Sequence, residues 1–150
     1  MKNIRNSVKA IIIQNDQILL TKNKDDEGFF YLCPGGGQEH GENLADAVHR
    51  ECLEEIGEKV EVGDLVYVRE LMEKDHDGMD VSFHQVEFYF SCTLVSDSPT
   101  FEHVSLPDDH QVGVEWIDIK LLDEIRIYPA ELGKRVKHKN VESRYLGDVK

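Results

Sequence analysis

At 150 residues, with 40% hydrophobic and 31% charged side chains, the chain has the size and composition of one globular domain. No stretch approaches the ~20 apolar residues that span a bilayer, and the formal charge of −13 repels a phosphate backbone, so membrane and nucleic acid polymer partners are set aside. Three cysteines, Cys33, Cys52 and Cys92, with no C-x-x-C pair, argue against a disulfide framework or a zinc site and fit a reducing cytoplasm.

The first residues carry basic side chains ahead of a short apolar run, but Lys9 interrupts it and no small-residue cleavage site follows, so the segment reads as a strand and not as a signal peptide. Alternation and β-branched content predict strands over Val8 to Gln14 and Ile18 to Thr21, turning at Asn15-Asp16. A short apolar strand from Phe29 to Cys33 should stop at Pro34-Gly35-Gly36-Gly37 and give way to a loop with exposed backbone. Leu44, Ala47, Val48, Cys52, Leu53 and Ile56 recur at helical spacing, with Asn43 as N-cap, Asp46 at the third position and Gly57 as the stop.

Downstream, Val60 to Leu71 and Val81 to Val95 read as strands on either side of a polar loop from Glu73 to Asp80. Ser96 to His110 reads as an exposed connection, Val112 to Ile117 as a strand and Ile119 to Ile125 as a short helix. Pro129 then begins a helix, at its favoured first-turn position, that runs toward Lys139, and the last residues are expected to fray. The pattern implies a single α+β domain over 1–150 with a mixed β-sheet sandwiched between α-helices.

Within the central helix, Glu51, Glu54 and Glu55 stand at i, i+3 and i+4, so the three carboxylates project from one face, which is expected to be wet. Like charges so close need neutralising. Arg50, at i, i+4 to Glu54, does part of this on a plain solvated face; a hard divalent cation does it in a site built for phosphoryl chemistry.

The context favours the second reading. From Gly36 the chain runs GGQEHGENLADAVHRECLEEIG, which resembles the Nudix box G-x5-E-x7-R-E-U-x-E-E-x-G-U, where U is a bulky aliphatic. All seven fixed positions agree: Gly36, Glu42, Arg50, Glu51, Glu54, Glu55 and Gly57. Two variable positions depart from it, Cys52 at the first aliphatic and Glu58 at the last. The box spans Gly36 to Glu58, and the order of strands around it is similar to the Nudix (MutT-like) fold.

The resemblance implies a Mg²⁺- or Mn²⁺-dependent hydrolase that cleaves a phosphoanhydride of a nucleoside diphosphate linked to another moiety, such as ADP-ribose or a nucleoside triphosphate. It implies metal ligation by Glu51, Glu54, Glu55 and a carbonyl of the glycine loop, here Gly35. Arg50 would orient a box glutamate, and Glu42 would support the loop. Glu51 is the first choice of general base, with Glu70 and Glu87 in reserve, each read otherwise as a surface strand residue. A homodimer is a common assembly in such a family. The alternative is a non-catalytic Nudix-fold nucleotide sensor, which an intact box disfavours; an isomerase on the same scaffold would need catalytic residues not found here.

Other groups are read as structural. The seven histidines, among them His40, His49 and His84, lack paired ligand spacing. Phe83, Phe88, Tyr89 and Phe90 are mostly core, and Lys134, Arg135, Lys137 and Lys139 form a solvated basic face.

Overall fold

The computed structural model describes residues 2–107, 109–140 and 142–150. The expected hairpin joins β1 (Arg5–Gln14) to β2 (Gln17–Asp25) through Asn15 and Asp16, whose positive φ values of 52° and 60° suit the tight turns that match strand twist. There follow β3 (Gly28–Leu32), β4 (Gly35–Gly37), α1 (Leu44–Glu55), β5 (Val60–Lys74), β6 (Val81–Leu94) and β7 (Gln111–Asp118). A 3-10 turn (Ile119–Leu121), α2 (Ala130–Lys137) and β8 (Tyr145–Asp148) complete the order.

The strands form one mixed sheet in the order β3-β2-β1-β6-β5-β8, with β4 added to β1 and β7 to β2. β1 runs parallel to β6 from Arg5↔Gln85 to Ile12↔Cys92. It meets β2 only at Ile13↔Ile18 and Gln14↔Gln17, so the β3-β2-β7 part diverges from the rest beyond the hairpin. Alternation along β1 divides its side chains between two cores. Val8, Ala10 and Ile12 pack with Ala47, Val48 and Cys52 of α1, whereas Ile11 joins Tyr67, Tyr89, Leu132 and Val136 under α2. The sheet is thus sandwiched between the helices, and each fully buried aliphatic chain contributes roughly 1.5–3 kcal/mol. No helix among the described residues is long and apolar enough to cross a membrane.

Several expectations need correction. Gly35–Gly37 is not a loop but a short strand antiparallel to β1, pairing Ser7↔Gly37, Val8↔Gly36 and Lys9↔Gly35. The approach is so close that a Cβ on Gly35 (φ +152°) would lie 1.9 Å from the Val8 carbonyl oxygen. The helix expected to reach Ile125 stops at Leu121, because the chain turns to set Ile127 beside Tyr31 and bury it. Pro129 caps α2 from outside, after a cis Tyr128-Pro129 peptide, instead of occupying its first turn. Residues 145–148 do not fray: β8 lies parallel to β5, with Leu146 in the core and the Val149 carbonyl accepting from Arg69. Leu53, assigned to the apolar face of α1, is 43% exposed.

Candidate active site

Asn43 caps α1 as expected, its side-chain oxygen accepting from the Asp46 amide at 2.8 Å. Near the other end of the helix, Glu51 and Glu55 turn inward while Glu54 borders a trench. The carboxylate face is therefore not wet throughout: Glu51 is 9% exposed and Glu55 1%. Strand β4 covers it. The Gly35 amide donates to Glu55 Oε1 at 3.1 Å, and a Cβ on Gly36 would stand 2.6 Å from Glu51 Oε1.

Arg50 is the hub. Its guanidinium donates to both oxygens of Glu42 (2.7 and 3.1 Å), to Glu51 Oε1 (3.0 Å), to Glu54 Oε2 (3.3 Å) and to the Gly37 carbonyl (2.9 Å). One planar fork thus ties the glycine strand, the loop before the helix and two box carboxylates together. Arg50 holds the Glu42 carboxyl below the usual range, and Glu42 in turn raises the Arg50 pKa, so this pair stays ionised. Among the described residues no three carboxylates, imidazoles or thiolates stand as a preformed metal cluster. The donor set still fits a hard divalent cation: carboxylate oxygens beside a glycine strand whose missing side chains leave them room.

Leu106, Pro107, Asp109 and His110 border the trench, and the chain just before them is fastened to α1. Ser105 and Leu106 amides donate to the Glu54 carbonyl (both 3.0 Å), and Gln111 Nε2 donates to the Glu55 carbonyl (2.8 Å). Glu58, the departure from the aliphatic pattern, accepts from the Thr100 amide at 2.9 Å and so anchors the same segment. Cys52, the other departure, is fully buried in the core under α1. The trench encloses about 500 Å³ between Glu51, Glu54, Asn23, Phe30, Asp109 and His110. Sequence reasoning did not find the last four, which come from separate strands and loops with no shared spacing. Asn23 lies beyond the strand expected to end at Thr21, yet it is fully buried in β2, which continues to Asp25.

A second cavity of about 290 Å³ opens on the α2 side of the sheet and shares Leu32 with the trench. Glu87 lies there, and it is no surface residue: it is 3% exposed and accepts from Arg69, Gln85 and Tyr89. Burial pushes its carboxyl up, but the Lys9 and Arg69 charges with these donors outweigh it and hold the pKa low. Glu70 is remote from the trench, bonded to His84 and Tyr145. His40 and His49 are exposed. In the basic helix, Arg135 pairs with Glu131 and Lys137 with Asp123, which leaves Lys134 and Lys139 in solvent.

A family model described as the NUDIX domain matches residues 3–138. The chain belongs to the NUDIX family. Among relatives of this Nudix hydrolase, an uncharacterized Nudix hydrolase, YvcI of Bacillus subtilis (strain 168), is 29% identical over 124 residues, 83% of this chain and 73% of the relative. The nucleoside triphosphatase NudI of Enterobacter sp. (strain 638) is 31% identical over 104 residues, 65% of this chain and 74% of that one. The crystal structure of a NUDIX hydrolase from Nitrosomonas europaea superposes with a TM-score of 0.71 at 21% identity, over 99% of this chain and 80% of the other, a likeness of fold. Membership makes the chain an enzyme that hydrolyses acid anhydrides.

Proposed function

We propose that this Nudix hydrolase cleaves a phosphoanhydride bond of a nucleotide, a nucleoside triphosphate or a nucleoside diphosphate derivative such as ADP-ribose, with Mg²⁺ or Mn²⁺. The observation that carries the reading is the grip of Arg50 on Glu42, Glu51 and Glu54 beside an open trench. A site that had drifted to mere binding would have no reason to keep a half-buried guanidinium aligning carboxylates. The nucleoside triphosphatase relative supports the triphosphate choice.

Glu51, Glu54, Glu55 and the Gly35 carbonyl would hold the cation. Bound there, it would screen the charge of the diphosphate from an acidic protein, polarise the scissile bond and lower the pKa of the attacking water. Glu51, with Arg50 at Oε1 and Gly36 against its carboxylate, would take the proton of that water as its oxygen bonds to phosphorus and the bridging oxygen leaves with the second phosphate. Arg50 acts through Glu51 and Glu54 as a positioning residue. The three cysteines are free and buried, and burial lifts Cys33 to about 12, so these thiols suit the reducing cytoplasm proposed as its compartment.

The test is hydrolysis of nucleoside triphosphates, ADP-ribose, dinucleotides and nucleotide sugars by the wild type and Glu54→Gln, with Mg²⁺ and with excess chelator. Wild-type turnover should need the metal, and Glu54→Gln should lose at least about 100-fold with an unchanged circular dichroism spectrum. Full activity in the variant would remove Glu54 from the ligand set. Binding without turnover across the whole panel would replace the enzyme with a nucleotide sensor.

A further inference from the structure

The polar groups of the second cavity are unequally used: apart from the exposed Glu73, its carboxylate and side-chain amide acceptors are spent. The Glu87 carboxylate already receives Arg69 Nε at 2.9 Å, Arg69 Nη2 at 3.1 Å, Gln85 Nε2 at 2.6 Å and the Tyr89 hydroxyl at 2.6 Å, which fills its roughly four lone-pair sites. The Gln85 carbonyl oxygen is taken by Arg5 Nη1 at 2.6 Å. Its donors are not spent. The half-buried Lys9 ammonium makes no hydrogen bond or ion pair among the described residues and acts on Glu87 only through space. Arg69 uses three of its N–H groups, on Glu87 and the Val149 carbonyl, out of five.

The place of Lys9 connects this to the chemistry. Its partner across the β1–β4 ladder is Gly35, the residue whose amide holds Glu55. Leu32 walls both the cavity and the carboxylate trench. A nucleotide whose phosphates lay over the glycine strand could extend its base past Leu32 toward Lys9, and about 290 Å³ suits one base and no second nucleoside.

We infer that Lys9 selects the base of the substrate by donating to a keto oxygen, so that guanine and uracil or thymine nucleotides are taken in preference to adenine and cytosine nucleotides. Guanine offers O6 and uracil or thymine offers O4 as an acceptor, at the position where adenine and cytosine place an amino group. Such an amino group would face Lys9 and Arg69 donor to donor, and a buried donor left unpaired discriminates strongly. The inference rests on the nucleotide hydrolase reading and narrows it away from ADP-ribose.

The test uses calorimetry of the whole chain with GMP, UMP, AMP and CMP in excess chelator, so that no turnover is involved. The two keto-base monophosphates should bind at least about tenfold more tightly than the two amino-base ones. That comparison needs no variant. Lys9→Met should weaken GMP and UMP about tenfold, leave AMP and CMP no weaker, and in hydrolysis with Mg²⁺ raise KM for GTP and UTP at constant kcat. Equal binding of all four monophosphates by the wild type overturns the inference. So does an equal loss for all four in Lys9→Met, which would put Lys9 on the phosphate they share. A keto preference without hydrolysis would sink the enzymatic reading alone, and hydrolysis without a preference would sink this one alone.

Discussion

A methyl group at position 36 would sit 2.6 Å from Glu51 Oε1 and 2.7 Å from its carboxyl carbon, a clash with the end of one side chain. Gly36→Ala is therefore expected to displace the Glu51 carboxylate more than it disturbs the fold. Hydrolysis should fall on the order of 100-fold while overpacking costs about 1–3 kcal/mol, a drop of roughly 2–10 °C in Tm. Steady-state kinetics beside thermal unfolding checks it, and wild-type kcat in the variant would show that Glu51 need not stand where it does. The same residue marks the limit of what spacing reveals. The i, i+3, i+4 pattern correctly put Glu51, Glu54 and Glu55 on one side of a helix, but a helix wheel is silent about what lies over that side. Strand β4 lies there, which is why Glu51 and Glu55 are buried.

At the scale of elements, Ser105 and Leu106 are held to α1 and Thr100 to Glu58, just beyond the helix, and the Glu58 contact is the most separable of them. Glu58→Ala removes the acceptor of the Thr100 amide and is expected to cost about 1 kcal/mol. Amide exchange should quicken at Thr100 and Phe101 and stay unchanged in β1 and β6; uniform quickening would instead mean general destabilisation. Glu58 looked in the sequence like a flaw in a motif, because the partner that explains it is 42 residues away. The same reason separates the legible strands from the others. β1, β6 and the first half of β2 carry their own pattern and were visible. Three successive glycines carry none, and Tyr145–Asp148 is too short to show any, so β4 and β8 exist only by pairing with strands formed elsewhere. Asn43, Asp46 and Gly57 marked α1 well because capping is local.

In the whole molecule, a domain carrying a net −13 keeps one ionised pair, Arg69 and Glu87, almost wholly out of water between β5 and β6. Removing one partner of such a pair leaves the other charge uncompensated, so Glu87→Gln should destabilise by roughly 3 kcal/mol at neutral pH. The folded-state Glu87 pKa lies below its ordinary 4.5, so its stabilisation is present above that value and fades as pH falls through the folded one. Urea midpoints for the wild type and Glu87→Gln should therefore differ most near neutrality and converge below about pH 4.5; a gap that stays constant down to acid would mean that the ionised carboxylate is not its source. β1 runs through this architecture with Val8, Ala10 and Ile12 seated on α1 and Lys9 on the opposite face. Such a strand places two heritable traits at alternate codons. Changes at 8, 10 or 12 reach the helix proposed to carry the chemistry, whereas a change at 9 would alter what is admitted to it, so the proposed selectivity would be open to exchange without repacking of that helix.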